Sequence, residues 1–537
     1  MDLLQPVEPA TRACPPILCG DAIKGYEKYL FDESRRTGHA TALAFPRDDA
    51  EVSGAVRAAD KDGLSITVSG ARTGIAAGAV PDGGMVISLE RLNRICGVRK
   101  GENGEFHVLC QAGVSLADLQ RSVALGKFAD SATWDKATLA VLEEMKTQRL
   151  LYPPDPTETS AAIGGTVACN ASGAHTFRYG PTRPYVSWIR VVLADGRVLE
   201  LTRGQARADE NGRFGFQHAD GTVVTAQAPM YRWPATKNSG GYFSGAGMDL
   251  VDLFIGAEGT LGIITAAELR VVPAPEANCA AVTFWPMEAA ALEFTRNLRQ
   301  RKEVLGIEAI EYFGPDALRL LRKRRALLGA ASGVPDCLPA DAGCAIYLDI
   351  GTTTAALPDT LEAVAACVRE CGGNPDVCWT GMTKAERERL RVFRHALPET
   401  VNAAIAEIRQ THPQVTKLGT DMAVPDECLE RVVRLYRERL DAKGLDYVVF
   451  GHIGDNHLHI NILPRNPAEY AAGKELYQSF ARDVVAMGGS PAAEHGIGKL
   501  KTGFLKIMYG EDGVAQMLAV KRVFDPDLRL GKGTLFG

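Results

Sequence analysis

Four of the ten histidines in this chain lie in two short segments near its C-terminal end, and one of them directly follows a glutamate. The histidines are His452, His457, His459 and His495, and the glutamate is Glu494. Imidazole and carboxylate groups bind zinc-like divalent ions, and two histidines with one carboxylate leave a coordination position open for substrate. A neighbouring histidine that does not bind the ion can act as a base. These residue types therefore predict a metal-assisted active site.

Two predicted strands must bring the first three histidines together. Apolar residues before and after them are typical of strands, and 454–456 has the composition of a turn. Because side chains alternate along a strand, His457, His459 and Asn461 would share one face, and the turn would return His452 beside them. A single histidine beside a turn is more often a surface residue. The prediction therefore rests on the cluster, and His457 could equally point to solvent.

Composition limits the class of protein. The chain has 537 residues, with 46% hydrophobic and 23% charged, which predicts a globular protein of two or three domains. A net charge of −5 argues against nucleic acid as the main partner. Twelve cysteines without a Cys-x-x-Cys pair argue against an iron–sulfur cluster and favour a reduced, cytoplasmic setting. We expect no signal peptide and no membrane-spanning helix, which leaves peripheral membrane attachment open.

Three segments rich in glycine and other small residues follow predicted strands. They cover residues 69–78, 163–180 and 256–262, and a rigid proline turn at 152–156 precedes the second. Consecutive backbone N–H groups in such loops suit phosphate. The first segment lacks the Gly-Lys-Ser/Thr of a P-loop and the glycine spacing of a Rossmann fold, and a flexible hairpin explains it equally well.

The order of these motifs resembles that of the vanillyl-alcohol-oxidase-type (PCMH-type) flavoproteins. It is most similar to the FAD-linked 2-hydroxy-acid dehydrogenases and oxidases, a branch with D-lactate dehydrogenase, the glycolate oxidase FAD subunit and D-2-hydroxyglutarate dehydrogenase. The similarity runs from about residue 38 to the C-terminus. It is carried by Arg72 with its surrounding glycines, Pro153-Pro-Asp-Pro156, Ile163-Gly-Gly-Thr166, Asn170-Ala-Ser-Gly173, Gly256-Ala-Glu-Gly-Thr-Leu-Gly-Ile263, Gly451-His-Ile-Gly-Asp-Asn-His-Leu-His459 and Ala493-Glu-His-Gly-Ile-Gly498.

The resemblance implies an α+β fold. The expected parts are an N-terminal helical extension (1–37), a PCMH-type FAD-binding domain of two α+β subdomains (38–275), a substrate-binding cap with an antiparallel sheet (276–485) and a C-terminal segment packing on the FAD domain (486–537). From the sequence pattern we also predict a helix over 21–36, a helical stretch over 131–150, a helix over 385–408 that is kinked or broken at Pro398, and a strand over 416–424.

The resemblance also implies which residues contact FAD. In the first loop the family has Arg-Gly-Gly-Gly-Thr where this chain has Gly-Ala-Arg-Thr-Gly, a departure that changes the individual contacts but not the expected role. The implied cofactor residues are Ser69, Gly70, Ala71, Arg72, Thr73, Gly74, Pro154, Gly164, Gly165, Thr166, Ala168, Asn170, Ser172, Gly173, Ala174, Tyr179, Gly180, Glu258, Gly259, Gly262 and Ile263.

For the catalytic centre, the resemblance implies a divalent metal on His452, His459 and Glu494, with His495 as the base. Zinc is expected first, with manganese and iron as alternatives. The sequence Asn456-His457 replaces the family's Gly-Asn and adds an imidazole near the substrate. Three further residues would contact the substrate. They are Arg394 and Lys417, which would bind its carboxylate, and Asn461.

The implied reaction is oxidation of a small D-2-hydroxy acid to its 2-oxo acid, with hydride transfer to flavin N5. A separate acceptor would take the electrons: an electron-transfer flavoprotein, a quinone, a cytochrome or an iron–sulfur protein. A homodimer is compatible with the sequence. Two alternatives share the scaffold: a flavin-dependent alkyl-transfer enzyme similar to alkyl-glycerone-phosphate synthase, and a non-catalytic flavin subunit of a larger complex. The two-histidine, one-glutamate set disfavours a metal-free aryl-alcohol oxidase.

Overall fold

The computed structural model describes residues 14–217 and 221–537, so the first thirteen residues of the predicted N-terminal extension lie outside it. The first sheet has the order β1-β2-β4-β3, in which β2, β4 and β3 are parallel and β1 is antiparallel. Its strands are β1 (Ile17–Cys19), β2 (Ala42–Ala44), β3 (Ile66–Ser69) and β4 (Met85–Ser88).

Helix α1 (Asp49–Lys61) shows how this first layer forms. The Asp48 side chain caps the helix by accepting the Glu51 backbone N–H at 2.8 Å. Apolar residues at helical spacing, including Val52, Val56 and Ala59, are fully buried in the core shared with the sheet. The spacing therefore determines which face of α1 the sheet covers.

A second, antiparallel sheet completes the predicted FAD-binding half, with the order β5-β6-β12-β8-β9 and β7 paired to the end of β12. A separate hairpin of β10 and β11 precedes β12 in the chain. The strands are β5 (Ile95–Lys100), β6 (Phe106–Gln111), β7 (Leu150–Leu151), β8 (Val186–Val192), β9 (Val198–Thr202), β10 (Arg213–Gln217), β11 (Val223–Gln227) and β12 (Ile263–Pro273). The helices are α2 (Leu116–Leu125), α3 (Lys136–Met145), α4 (Ile163–Ala168), α5 (Thr176–Tyr179) and α6 (Leu250–Phe254).

The cap is an eight-stranded antiparallel sheet with the order β16-β13-β15-β14-β19-β20-β17, and β18 also pairs with β20. Its strands are β13 (Ala277–Trp285), β14 (Ile307–Phe313), β15 (Cys344–Thr352), β16 (Trp379–Gly381), β17 (Leu418–Gly419), β18 (Met422–Ala423), β19 (Tyr447–His452) and β20 (His457–Ile462). Its helices are α7 (Glu288–Gln300), α8 (Pro315–Leu328), α9 (Leu357–Glu370), α10 (Lys384–Thr411), α11 (Leu429–Ala442) and α12 (Pro467–Ala486). The α+β class and the antiparallel cap sheet are thus confirmed, whereas the domain boundaries stay predictions.

Both faces of the cap sheet are covered, because alternate side chains of β13 enter different cores. Val282 and Phe284 pack with α8 and α10, whereas Ala281 and Trp285 belong to the core that includes α7 and α9. The cap is therefore a helix–sheet–helix layer.

Several element predictions differ from the structure, in whole or in part. Residues 21–36 do not form one helix: β1 enters the first sheet, and two short 3₁₀ helices, Gly20–Ile23 and Glu27–Tyr29, follow it. This segment buries few apolar side chains that could stabilise a longer helix. The stretch 131–150 contains a 3₁₀ helix, Ala129–Thr133, then α3, then β7.

Helix α10 continues through Pro398 without a break. Its buried stripe, Phe393, Leu397 and Val401, packs in the cap core on both sides of the proline. This packing outweighs the roughly 3 kcal/mol that an internal proline costs.

The C-terminal helical segment α13 (Thr502–Phe524) is kinked at Gly510, where φ is 69°. It leads to a tail that returns to the first sheet, where Ile66 pairs with Leu530. A buried lysine holds this junction: Lys521 Nζ donates to Asp525 Oδ2 (2.8 Å), to the Thr260 carbonyl (2.8 Å) and to the Leu530 carbonyl (2.9 Å). The cation thus joins the C-terminal segment to the third glycine-rich loop.

We expect Lys521→Met to lower the free energy of unfolding by about 3 kcal/mol, because it leaves the Asp525 carboxylate buried without its cation. Urea unfolding of the FAD-loaded protein, followed by tryptophan fluorescence, measures this change. The control is Lys506→Met, which removes an exposed ion pair to Glu511 and should change the free energy by no more than about 0.5 kcal/mol. Equal effects of the two substitutions would contradict the proposed role of Lys521.

Candidate active site

The hairpin of β19 and β20 places the histidines of the cap on one face. His452 lies directly opposite His457, and Phe450 lies opposite His459. The turn is made by Asn456 in the left-handed region, at φ 52°. A side chain at Gly451 would approach the His459 ring to 2.8 Å, so this glycine permits the close packing of the ring.

Four side chains meet at this face and could bind one metal ion. Each contributes one nitrogen or oxygen atom, and these atoms lie within 4.8 Å of one another. The residues are His452, His457, His459 and Glu494. Glu494 Oε2 lies 3.4 Å from His452 Nε2 and 3.9 Å from His457 Nδ1. Nitrogen and carboxylate donors at this spacing suit a zinc-like ion, so the predicted ligands are brought together and His457 joins them.

Each predicted ligand forms a hydrogen bond to a buried residue outside the cluster. His452 Nδ1 donates to Glu311 on β14 at 2.6 Å, and His459 Nδ1 donates to the Thr420 carbonyl at 2.9 Å. Lys237 Nζ donates to Glu494 and, at 3.0 Å, to the Gly173 carbonyl of the second glycine-rich loop. Contacts of this kind orient metal ligands and tune their basicity.

Burial and neighbouring charges set the protonation of these ligands. Burial alone would raise the pKa of Glu494, but Lys237 and His452 hold it well below its usual range. Burial would lower the pKa of His452, but the carboxylates of Glu311 and Glu494 raise it to about 10. Burial, together with the neighbouring histidines, holds the pKa of His459 well below its usual range. Glu494 and His459 are therefore already in the forms that bind a cation.

His495 is positioned by Asp421, a residue between the short strands β17 and β18. The predicted continuous strand over 416–424 is wrong, because it is interrupted between β17 and β18. Asp421 lies in this interruption, where it is buried and accepts the backbone N–H groups of Glu494 and His495, each at 3.0 Å. The same carboxylate lies 3.5 Å from His495 Nδ1 and accepts a hydrogen bond from Lys501 at 2.9 Å. The His495 ring stacks on His459, with centroids 5.7 Å apart.

His495 is suited to accept a proton. Its side chain remains 31% exposed, in contrast to the enclosed ligands. Burial lowers its pKa below the usual value, against the opposing effect of Asp421, so the ring is neutral near pH 7. Because Nδ1 faces Asp421, Nε2 is the nitrogen available to a substrate.

The predicted substrate residues occupy different environments. Arg394 lies at the centre, where its Nε is 3.3 Å from the Glu311 carboxylate that also holds His452. Asn461 is buried on β20 opposite Gly419. Lys417 is exposed, and its Nζ is 3.3 Å from the Asn402 side chain. Arg394 is thus linked to the metal-ligand cluster through Glu311, and Lys417 lies at its periphery.

The three glycine-rich loops converge beside this cluster. A side chain on Gly70 would meet Ala162 at 3.3 Å, and the Glu258 N–H donates to the Ala168 carbonyl at 2.8 Å. Apart from the chain neighbours and the helix's own backbone, no heavy atom of the described residues lies within 4 Å of where a Cβ would stand on Gly74 or Gly165. The loops therefore approach one another closely while leaving open space at these two glycines, which is the arrangement an FAD site requires.

Several of the predicted cofactor side chains are engaged within the protein. Glu258 accepts the backbone N–H groups of Ile497 and Gly498, each at 2.8 Å. The Arg72 guanidinium donates to the Gly70 carbonyl at 3.1 Å and stacks on the Tyr29 ring. The Tyr179 hydroxyl donates to Glu308. The backbone atoms of these loops, rather than these polar groups, are therefore the better candidates for cofactor contacts.

Sequence reasoning missed Lys237, Glu311, Thr420 and Asp421. One signal was present for Glu311, which is a charged residue inside the apolar run Ala309-Ile-Glu-Tyr-Phe313. A similar signal was present for Asp421, which sits in a stretch that otherwise reads as a strand. Lys237 and the Thr420 carbonyl carry no local signal, because their partners are distant in the chain.

We expect Gly165→Leu to fold but to bind little FAD, because the new side chain enters the open space between the loops without meeting protein atoms. The ratio of flavin absorbance to protein measures the loss. Gly503→Leu is the control, since Gly503 is also exposed in a helix with no heavy atom within 4 Å. Full flavin content in Gly165→Leu would remove this loop from the cofactor site.

The chain is similar to known proteins along most of its length. D-lactate dehydrogenase of Anaerostipes hadrus is 30% identical over 534 residues, covering 97% of this chain and 94% of that protein. D-2-hydroxyglutarate dehydrogenase of Xanthomonas citri pv. viticola is 29% identical, covering 95% of this chain and 92% of that protein. Glycolate oxidase subunit GlcD of Bacillus subtilis is 24% identical, covering 92% of this chain and 88% of that protein.

A solved structure of alkyldihydroxyacetonephosphate synthase has a TM-score of 0.57 at 14% identity, covering 93% of this chain and 76% of that one, which shows the fold alone. The family model "FAD binding domain" matches residues 40–140 and 137–202. The model "FAD linked oxidases, C-terminal domain" matches residues 274–535. Together with the relative at 30% identity, these matches show that the chain belongs to the FAD-linked oxidase family of PCMH-type flavoenzymes.

Proposed function

We propose that this enzyme oxidises a D-2-hydroxy acid to the 2-oxo acid and passes the electrons from FAD to a separate acceptor. The observation that carries the proposal is the buried cluster of histidines and Glu494 beside the three glycine-rich loops. Relatives named D-lactate dehydrogenase and D-2-hydroxyglutarate dehydrogenase support the same substrate class.

His452, His459 and Glu494 would hold a divalent ion, with zinc first and manganese or iron as alternatives. When bound, FAD supplies a hydride acceptor and the ion supplies a Lewis acid that lowers the pKa of the substrate hydroxyl. Lys237 and Glu311 keep two of the ligands in place through hydrogen bonds to Glu494 and His452. Their contribution is to orient the ligands before the substrate arrives.

His495 would take the proton of the substrate hydroxyl on its Nε2. The O–H proton would go to His495 and the electron pair of that bond would form the carbonyl π bond. The hydrogen of the C–H bond would leave with its electron pair as a hydride, for which FAD would be the acceptor. Asp421 keeps the ring in position from the Nδ1 side. Arg394 would bind the carboxylate together with Lys417, and Asn461 would orient the reacting oxygen.

Two other functions have less support. The likeness to alkyldihydroxyacetonephosphate synthase concerns the fold, and the acidic ligand Glu494 suits dehydrogenation better than alkyl transfer. A non-catalytic flavin subunit would not need the base, the ligands and their buried partners, all of which are present.

The electron acceptor would be an electron-transfer flavoprotein, a quinone, a cytochrome or an iron–sulfur protein, and the cytoplasmic setting stays a prediction. In residues 14–217 and 221–537, no helix is long and apolar enough to cross a membrane.

We expect a D-2-hydroxy acid to bleach the flavin under anaerobic conditions and a chelator to abolish the bleaching. The measurement is flavin absorbance on mixing with D-lactate, D-2-hydroxyglutarate and glycolate, with L-lactate and L-2-hydroxyglutarate as controls for stereochemistry. Bleaching that survives metal removal would assign the cluster a structural role. Absence of bleaching with every acid would overturn the proposed reaction.

We expect His495→Gln to keep its FAD and metal but to slow flavin reduction by about 10²–10⁴-fold, because the proton acceptor is lost. Stopped-flow absorbance measures the rate, and flavin and metal content are measured on the same sample. His412→Gln, at the end of α10, is the matched control and should leave the rate unchanged. A normal rate in His495→Gln would exclude His495 as the base.

A further inference from the structure

We propose that His457 is a fourth protein ligand, so that three histidines and one glutamate bind the metal. The inference rests on the metal centre of the proposed function and extends it to a residue that replaces the asparagine of the family motif. A fourth ligand would occupy the coordination position that is otherwise open to substrate, so the ligand set would have to change when substrate binds.

The position of His457 is the first argument. Its side chain is fully buried, and its ring centroid lies 4.5 Å from that of His459 and 5.4 Å from that of His452. Its Nδ1 lies 3.9 Å from Glu494 Oε2. Two donors on a tetrahedral zinc ion are separated by about 3.3 Å, so a small shift of the ring would bring Nδ1 into the coordination sphere.

The second argument is that, among the residues that the structure describes, Nδ1 of His457 has no hydrogen-bonding partner. Both ring nitrogens are buried without a hydrogen bond of good geometry, although Nε2 lies 3.1 Å from Asp421 Oδ1. Leaving a buried polar atom without a partner costs about 1–3 kcal/mol. A cation at Nδ1, with Asp421 accepting from Nε2, would satisfy both nitrogens at once.

The third argument is that the three histidines share one arrangement. Each ring has one nitrogen next to a protein oxygen on the outside, which leaves the other nitrogen for the centre. The outer pairs are His452 Nδ1 with Glu311 (2.6 Å), His459 Nδ1 with the Thr420 carbonyl (2.9 Å) and His457 Nε2 with Asp421 (3.1 Å). Histidines that bind metal ions almost always have such an outer partner, so His457 has the same surroundings as the two predicted ligands.

A purely structural role explains His457 less well. Asp421 does not need it, because its carboxylate already accepts the N–H groups of Glu494 and His495 and the ammonium of Lys501. An apolar side chain would fill the same space without the cost of burying two ring nitrogens.

The inference has a consequence for substrate binding. Four protein ligands complete a tetrahedral zinc site. A substrate oxygen must then either raise the coordination number to five or displace His457, the ligand that differs from the family motif. Before substrate binds, four protein ligands would hold the metal more tightly than three would.

X-ray absorption of the zinc- and FAD-loaded full chain tests the inference directly, because imidazole scattering counts the histidine ligands. We expect three imidazoles in the unmodified protein and two in His457→Asn. Competition with a chelator should show at least a tenfold weaker zinc affinity for His457→Asn, within the 10–100-fold range typical of perturbed sites. His412→Asn is the control and should match the unmodified protein in both measurements.

The outcomes separate this inference from the proposed function. Two imidazoles in the unmodified protein would overturn the fourth ligand and leave the three-ligand centre intact. Equal zinc affinity and equal imidazole counts in His457→Asn and the unmodified protein would do the same. A chain that binds no divalent ion would overturn both. The count on the unmodified protein decides the question even if the variant fails to fold.

Discussion

The buried carboxylate of Glu494 is the constraint around which the two halves of the molecule are assembled. Removing a carboxylate from water costs several kcal/mol unless cations and hydrogen-bond donors replace the solvent. Its partners come from separate parts of the chain: Lys237 from the flavin-binding half, and His452 and His457 from the cap hairpin. The cluster therefore forms only when both halves and the C-terminal segment are in place.

Asp421 gives the neighbouring residues Glu494 and His495 different environments. By accepting the backbone N–H groups of Glu494 and His495, it holds the loop so that one side chain enters the cluster and the next remains partly exposed. The proposed ligand and the proposed base would thus act on the same substrate oxygen from adjacent positions. The interruption between β17 and β18 is what makes the Asp421 carboxylate available for this purpose.

Side chains connect the second glycine-rich loop to the cluster and to the cap sheet. Lys237 binds both Glu494 and the Gly173 carbonyl, and His175 of the second loop pairs with Asp349 on β15 at 3.1 Å. Such contacts would fix the distance between the predicted cofactor site and the proposed substrate site, on which the proposed hydride transfer would depend. Because the same fold occurs in an alkyl-transfer enzyme, the chemistry must be argued from these side chains rather than from the architecture.

The sequence by itself determined the three glycine-rich loops, the alternating histidines of β20 and the α+β class, because each follows from local spacing or from the order of motifs. Only the tertiary structure decided that α10 passes unbroken through Pro398, that the strand over 416–424 splits, and that His457 turns inward rather than to solvent. It also supplied Lys237 and Glu311 as partners of the ligands. These features depend on burial and on charges distant in the chain, and local periodicity carries no information about either.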